Sequence, residues 1–283
     1  MSAAIQLLYS VIIGIIQSVS EWLPISSKTQ IIVSSTYLLK LSFQQAYTFG
    51  LFMEIGTLAA AIIYFRKELV QLIHALLGSK DNKQRKLLAY VVVVTVITGI
   101  IGAPLYLIAD SITGIAIGVP MLVIGFVLLA DAALIRFSRK RQEKGKVLRK
   151  LENLTIKDYV LIGITQGVSA LPGVSRSGIT TSAMLLLGVE PGEAFRLSFV
   201  AGIFAAAAAF GLTLTVTRSN VAASLAGIGL TGLAVAIVVS TIISLLLIDF
   251  LIKVAGKRNI IYLTAGLGTI AMATGLLYLA LGL

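Results

Sequence analysis

An all-α integral membrane protein is the fold class this sequence predicts, with about six transmembrane helices plus two re-entrant helical hairpins set as an inverted-topology internal repeat. Three observations carry that reading. Hydrophobic residues fill 58% of the 283 positions and charged residues only 12%, with a mean hydropathy of +0.99, far from the composition of a soluble domain. The basic residues gather in a few short loops. Two segments, 1–40 and 158–192, are apolar at their ends yet polar and proline-containing in the middle, and they resemble each other.

The elements follow in chain order. The opening stretch "MSAAIQLLYSVIIGIIQ" lacks a basic n-region and a small-residue cleavage site, so it reads as retained rather than as a secretory signal. It runs into "QSVSEWLPISSKTQ", residues 17–30, where an acid, a proline, hydroxyls and a lysine interrupt the apolar sequence. Such a break is tolerated at membrane depth only where the backbone is buried in protein or lines a watery cavity, which favours a hairpin that enters and returns. Apolar runs near 46–65, 88–108 and 118–137 are each long enough to span. A second hairpin over 158–192 holds "LPGVSRSGIT", and spans near 195–216, 222–251 and 260–282 complete the chain.

Most of the 23 lysines and arginines lie in the connections 66–87, 136–157 and 253–258. Basic short loops mark the cytoplasmic side, which puts both termini outside. The net charge of +11 therefore reflects topology and attraction to anionic headgroups, and no nucleic-acid partner is expected.

"GIIQSVSEWLPISS" at 14–27 and "GITQGVSALPGVSRS" at 163–177 share Gly, Gln, Val, Ser, Leu-Pro and a closing Ser, with the same spacing from Gln17 to Ser26 as from Gln166 to Ser175. The single membrane domain, 1–283, then divides into repeat 1, 1–150, with hairpin 1–40, and repeat 2, 151–283, with hairpin 158–192, each hairpin followed by three spans. An odd number of spans inverts the second copy and brings the broken helices together near the midplane, where inverted repeats place their sites.

The chemistry is restricted by what the chain lacks. Zero cysteines exclude disulfides, thiolate metal sites and cysteine nucleophiles, and the single histidine, His74, lies beside a basic loop, which speaks against histidine-based triads. In the second hairpin Pro172 and Gly173 break the helix, Ser175 and Ser177 can cap a new one, and Arg176 can fork two hydrogen bonds onto an anion. The bland alternative is a capped helix with a snorkelling arginine, but an arginine at membrane depth usually lines a functional cavity. In the first hairpin Gln17 and Glu21 share a helix face, and Ser26, Ser27, Lys28 and Thr29 follow the Pro24 break. Beside a phosphate, Glu21 could hold a divalent cation or act as a base toward water or a serine hydroxyl; its alternative is a salt bridge to Arg176 or Lys28 that only fixes the fold. Glu54, acidic in mid-span, is a second cavity candidate, while Asp131 with Arg136 and Asp249 with Lys253 read as pairs at helix boundaries.

Taken together, "QSVSEWLPISS" and "LPGVSRSGIT" resemble the undecaprenyl pyrophosphate phosphatase family of integral membrane enzymes, the type linked to bacitracin resistance. Its (E/Q)xxxE signature is matched by Gln17 and Glu21, and its PGxSRSxxT signature by Pro172, Gly173, Ser175, Arg176, Ser177 and Thr180. The resemblance implies hydrolysis of a polyprenyl (undecaprenyl-type) pyrophosphate to the monophosphate and inorganic phosphate, recycling the lipid carrier for cell-envelope glycan synthesis with a divalent cation, Mg²⁺ or Ca²⁺. It also implies interdigitated hairpins, Glu21 in metal or water handling, Ser27 as nucleophile, and Arg176 with Ser175 and Thr180 holding the pyrophosphate. Gln17, Ser26, Lys28, Gln30, Glu54 and Ser177 complete the expected substrate-binding set. The chain departs from the family pattern at Gln30, which takes a histidine position, at Gln17, which replaces a glutamate, at Glu54, where glutamine is common, and at Phe204, where proline is expected. Lys28 and Glu54 are then candidates to compensate for the missing histidine and carboxylate. The expected setting is the plasma membrane, with the lipid bilayer and the lipid pyrophosphate as partners, the cavity facing outside, and a homodimer left open. Two rival readings are a flippase for a polyprenyl phosphate or related lipid anion and an inactive lipid-binding homologue.

Overall fold

A computed structural model describes residues 3–22, 27–111, scattered positions between 119 and 140, 148–171, 174–216, 228–255 and 259–280. These fold as α1 (Ala3–Trp22), α2 (Ser27–Leu39), α3 (Phe43–Tyr64), α4 (Arg66–Leu76), α5 (Asn82–Ser111), α6 (Ile156–Val168), α7 (Arg176–Leu186), α8 (Pro191–Val216), α9 (Gly229–Ala255) and α10 (Asn259–Ala280). Among the described residues there is no strand beyond a single bridge between Arg149 and Val189. The expected spans correspond to α3, α5, α8, α9 and α10; the expected span 118–137 lies mostly outside the described residues, and those of its positions that are described are helical. α1, α5, α8 and α9 are each long and apolar enough to cross a membrane, and α3 with α4 is a fifth candidate bent by 73°. The protein is an all-α integral membrane protein.

Two features differ from the expectation. α1, expected as one arm of a hairpin, is itself of spanning length. Residues 66–76, expected as a basic loop, form α4, because buried Phe65 turns the chain without a glycine or proline, its ring set against Tyr64 and Phe199 with centroids 5.0 and 6.5 Å away. α4 buries Leu72 and Ala75, exposes Val70, Ile73 and Leu76, and stops where Gly78 at φ 91° lets Ser79 N–H reach the His74 carbonyl.

The two polar segments each become a pair of packed helices, α1 with α2 and α6 with α7. The breaking residues Pro24, Pro172 and Gly173 lie outside the described residues. α6 opens with a reciprocal cap in which Thr155 N–H donates to Asp158 at 2.7 Å and Asp158 N–H to the Thr155 hydroxyl at 3.4 Å. α7 ends where Gly188, at φ 80°, allows Val189 N–H to return to the Met184 carbonyl. One side chain joins these two points: Arg149 forks onto the Asp158 carboxylate at 2.6 and 3.3 Å and also donates to the Leu187 carbonyl at 3.1 Å. The α6–α7 pair thus begins and ends at one end of the bundle.

That end also gathers the basic connections. Lys83 lies 3.6 Å from Glu152, Lys150 lies 3.6 Å from Glu190, Arg196 reaches Glu68 at 3.2 Å, and the Tyr64 hydroxyl donates to Asp249 at 3.3 Å. Asp249 also pairs with Lys253 as expected, whereas Asp131 lies outside the described residues. The described parts of the three basic connections thus share one end, as a common membrane side requires.

Glycines let helices from opposite halves of the chain touch. A Cβ on Gly14 of α1 would sit 2.6 Å from the Ala236 carbonyl of α9, and one on Gly163 of α6 would sit 2.7 Å from Ile97 Cβ of α5. Where lipid supplies no hydrophobic drive, such close backbone approach is what holds helices together. One apolar core includes Phe65, Tyr90 and Leu197, another Ile13, Phe49 and Tyr106, at successive levels along the bundle.

Candidate active site

A cavity of about 270 Å³ lies where the breaks of α1–α2 and α6–α7 meet. Glu21 projects from the last turn of α1, Ser27 and Lys28 from the first turn of α2, Arg176 and Ser177 from the first turn of α7, and Ser175 caps α7 with its hydroxyl accepting from Gly178 N–H at 3.3 Å. Two helices therefore begin at this cavity, and their first-turn N–H groups have no partners within the helix. A pair of helix N-termini is a ready anion site.

Glu21 connects the two breaks. Its Oε2 accepts from the Ser27 hydroxyl at 2.6 Å and from Gln17 Nε2 at 3.3 Å, while its Oε1 accepts from Arg176 Nη2. Arg176 Nη1 donates to the Gly202 carbonyl at 3.0 Å. A short hydroxyl-to-carboxylate contact is the geometry of a serine poised beside a base. Lys28 Nζ stands 4.0 Å from Glu54 on α3. Two carboxylates and two cations thus cancel one another in a largely buried space.

Of the residues expected from the sequence, Glu21, Ser27, Lys28, Glu54, Ser175, Arg176 and Ser177 line this one cavity. Gln17 stands behind Glu21, and Thr180 stands behind Arg176, fully buried with its hydroxyl donating to the Arg176 carbonyl at 2.7 Å. Gln30, one turn into α2, is not among the cavity-lining residues, and Ser26 lies outside the described residues. The cavity also contains Thr95 and Thr98 of α5 and Gln166 of α6, which the sequence reading leaves out. Gln166 had a signal, since it aligns with Gln17 in the repeat; a threonine within an apolar span has none. Beyond this polar end the walls are small and apolar, with Gly102 and Ala103 on α5 facing Ala205, Ala208 and Leu212 on α8. From Ala205 to Leu212 at helical rise this wall runs roughly 10 Å, away from the basic end of the bundle.

Over this architecture, the family of the bacitracin resistance protein BacA matches residues 10–270. The chain belongs to the BacA family. The matched region contains the second hairpin, all but the first residues of the first, and all the cavity-lining residues named above. Among BacA-family relatives, the chain is 46% identical to an undecaprenyl-diphosphatase of Saccharolobus solfataricus over 272 residues, 96% of each chain. It is 44% identical to an undecaprenyl-diphosphatase of Sulfurisphaera tokodaii, covering 96% of this chain and 98% of the relative, and 38% identical to one from Pyrobaculum aerophilum over 94% and 96%.

Among the described residues no three His, Cys, Asp or Glu side chains form a metal cage. The atoms near Glu21 that could ligate a cation are oxygens, those of Glu21 itself, the Ser27 hydroxyl and Gln17 Oε1, which is buried with no hydrogen-bond partner. Carboxylates with neutral oxygens fit a hard divalent cation that takes its other ligands from a phosphate.

Proposed function

We propose that this BacA-family chain hydrolyses a polyprenyl diphosphate of the undecaprenyl type to the lipid monophosphate and inorganic phosphate, recycling a carrier for envelope glycan synthesis. The observation that carries the reading is the Ser27 hydroxyl 2.6 Å from Glu21, whose other oxygen is held by Arg176 at the N-terminus of α7. A lipid flippase has no use for that hydroxyl–carboxylate contact.

The terminal phosphate enters between the two helix N-termini and takes over the Arg176 guanidinium, which forks onto phosphate oxygens as it now does onto Glu21 and Gly202. The first-turn amides of α7 and the Ser175 and Ser177 hydroxyls supply further donors, aimed where charge develops. Glu21, left facing Ser27 and Gln17, accepts the Ser27 proton as Oγ attacks the terminal phosphorus and the bond to the bridging oxygen breaks. The lipid monophosphate leaves with the proton that Glu21 took from Ser27; the freed carboxylate then takes a proton from water as its oxygen attacks the phosphorus, and returns that proton to Ser27 Oγ as inorganic phosphate departs. Most of the acceleration comes from positioning and charge stabilisation, which is why a site with Gln30 instead of histidine remains competent. Lys28 supplies positive charge beside the phosphates, with Glu54 as its resting counterion. Gln17, Glu21 and Glu54 would hold a divalent cation, magnesium or calcium, whose charge would neutralise phosphate oxygens.

The setting proposed is the plasma membrane. Basic connections at one end of the bundle mark it as cytoplasmic, and the apolar wall running the other way supports a cavity open to the outer face. The inverted repeat is supported by the reciprocal packing of Gly14 on α9 and Gly163 on α5. The test is inorganic phosphate release from farnesyl and undecaprenyl diphosphates by the purified chain, with magnesium or a chelator. Release that disappears in Ser27→Ala, Glu21→Ala and Arg176→Ala is expected; tight lipid binding with no release by the wild type would replace hydrolysis with transport.

A further inference from the structure

Gln166 lines the cavity from the last turn of α6 and is only 1% exposed, yet neither atom of its side-chain amide has a hydrogen-bond partner. Thr95 Oγ1, on α5, lines the same cavity and is buried without a partner too. Their neighbours are satisfied: Thr98 donates to the Gly163 carbonyl at 3.3 Å and Ser169 to the Gln166 carbonyl at 2.6 Å. Buried amides are nearly always hydrogen-bonded, because an unpaired one loses its solvation without compensation. Gln17, the counterpart of Gln166 in the sequence repeat, gives its amide to Glu21 four residues on; four residues after Gln166 stands Ala170, so the second amide is left to the cavity.

We propose that Gln166 Nε2 and the Thr95 hydroxyl bind the lipid-proximal phosphate of the substrate, the one that leaves as the monophosphate, and thereby select diphosphate over monophosphate lipids. The inference rests on the phosphatase reading. Arg176, Lys28 and the N-terminus of α7 surround Ser27, where the terminal phosphate reacts, so the charged donors are committed to that group. The second phosphate meets neutral donors, which orient it without an ion pair that would retain the product. Gln166 Oε1 accepts from water while Nε2 and the Thr95 hydroxyl donate to the phosphate. A site with buried donors for a group discriminates strongly against ligands that lack it.

The experiment compares Gln166→Leu and Thr95→Val with wild type on undecaprenyl diphosphate and undecaprenyl monophosphate, with inhibition by inorganic phosphate and unfolding temperature measured on the same preparations. Gln166→Leu is expected to lower kcat/KM for the diphosphate by at least about tenfold and Thr95→Val by about threefold to tenfold. Inorganic phosphate inhibition should be unchanged, since that ion takes the Arg176 position, and the ligand-free unfolding temperature should not fall, because the leucine buries no unpaired amide. Unchanged kcat/KM in Gln166→Leu, or a loss matched by lower unfolding temperature, would overturn the inference and leave the phosphatase intact. If wild type releases no phosphate, the phosphatase reading fails, and the thermal shift produced by undecaprenyl diphosphate decides the binding claim: retained in Gln166→Leu it is refuted, lost it stands.

Discussion

Replacing Glu21 by glutamine and Arg176 by glutamine, singly and together, separates what this pair does for the fold from what it does for the reaction. Each single change strands a largely buried charge. Glu21→Gln leaves Arg176 with the Gly202 carbonyl, and Arg176→Gln leaves Glu21 with Ser27 and Gln17. Removing one partner of a fully buried pair costs about 3–5 kcal/mol. The Arg176 side chain keeps 22% of its exposure, so about 2–3 kcal/mol per single variant is expected. The double variant holds no stranded charge and should lose less than the sum of the singles by about 2 kcal/mol, within the range of coupling for contacting residues. Turnover should not recover, since the double variant has neither the base nor the guanidinium fork. Trp22 is the only tryptophan, adjoins Glu21 and packs edge-on against Phe199 at 4.9 Å, so its fluorescence during unfolding reports on this junction. Additive stability losses, or a double variant that hydrolyses substrate, would refute the reasoning.

Three further outcomes follow from the same structure. Glu54→Gln removes the counterion of Lys28 and should lower KM and weaken metal dependence, and Lys28→Gln should raise KM; a metal titration of turnover that Glu54→Gln leaves untouched would end the idea that these two residues compensate for the missing histidine. Gly14→Ala places a methyl against the Ala236 carbonyl and should destabilise by about 1–3 kcal/mol in thermal unfolding, whereas Gly192→Ala, with open space around it, should be nearly neutral. Burial pushes the Asp158 carboxyl up, but the Arg149 guanidinium and the Thr155 amide and hydroxyl outweigh it and hold it below the usual carboxylate range. Its stabilisation is therefore present at neutral pH and lost as pH falls through that lowered value, so the gap in unfolding temperature between wild type and Asp158→Asn should close in acid.

Much of the fold was legible because lipid imposes simple rules: apolar runs became α3, α5, α8, α9 and α10, and the basic connections converged at one end. The bend at Phe65 was not legible, since its ring packs against Phe199, more than a hundred positions away, rather than marking a local breaker. In the site, Glu21, Ser27 and Arg176 were visible because charge and hydroxyls at membrane depth are conspicuous. Thr95 and Thr98 were invisible for the opposite reason, as hydroxyls that a helix accommodates anywhere. That Thr180 turns its hydroxyl to the Arg176 carbonyl is a rotamer choice no spacing encodes.

The mutual neutralisation of Glu21 with Arg176 and Glu54 with Lys28 has a bearing on life inside a bilayer. The surrounding phospholipids are phosphodiesters that carry a single negative charge on phosphorus, and one charge is a poor exchange for a carboxylate already seated on a guanidinium. A terminal phosphate of a diphosphate brings more than one. The closed ion pairs therefore act as a valency threshold, keeping the cavity from filling with the abundant lipids around it while yielding to the rare one that outcompetes a carboxylate.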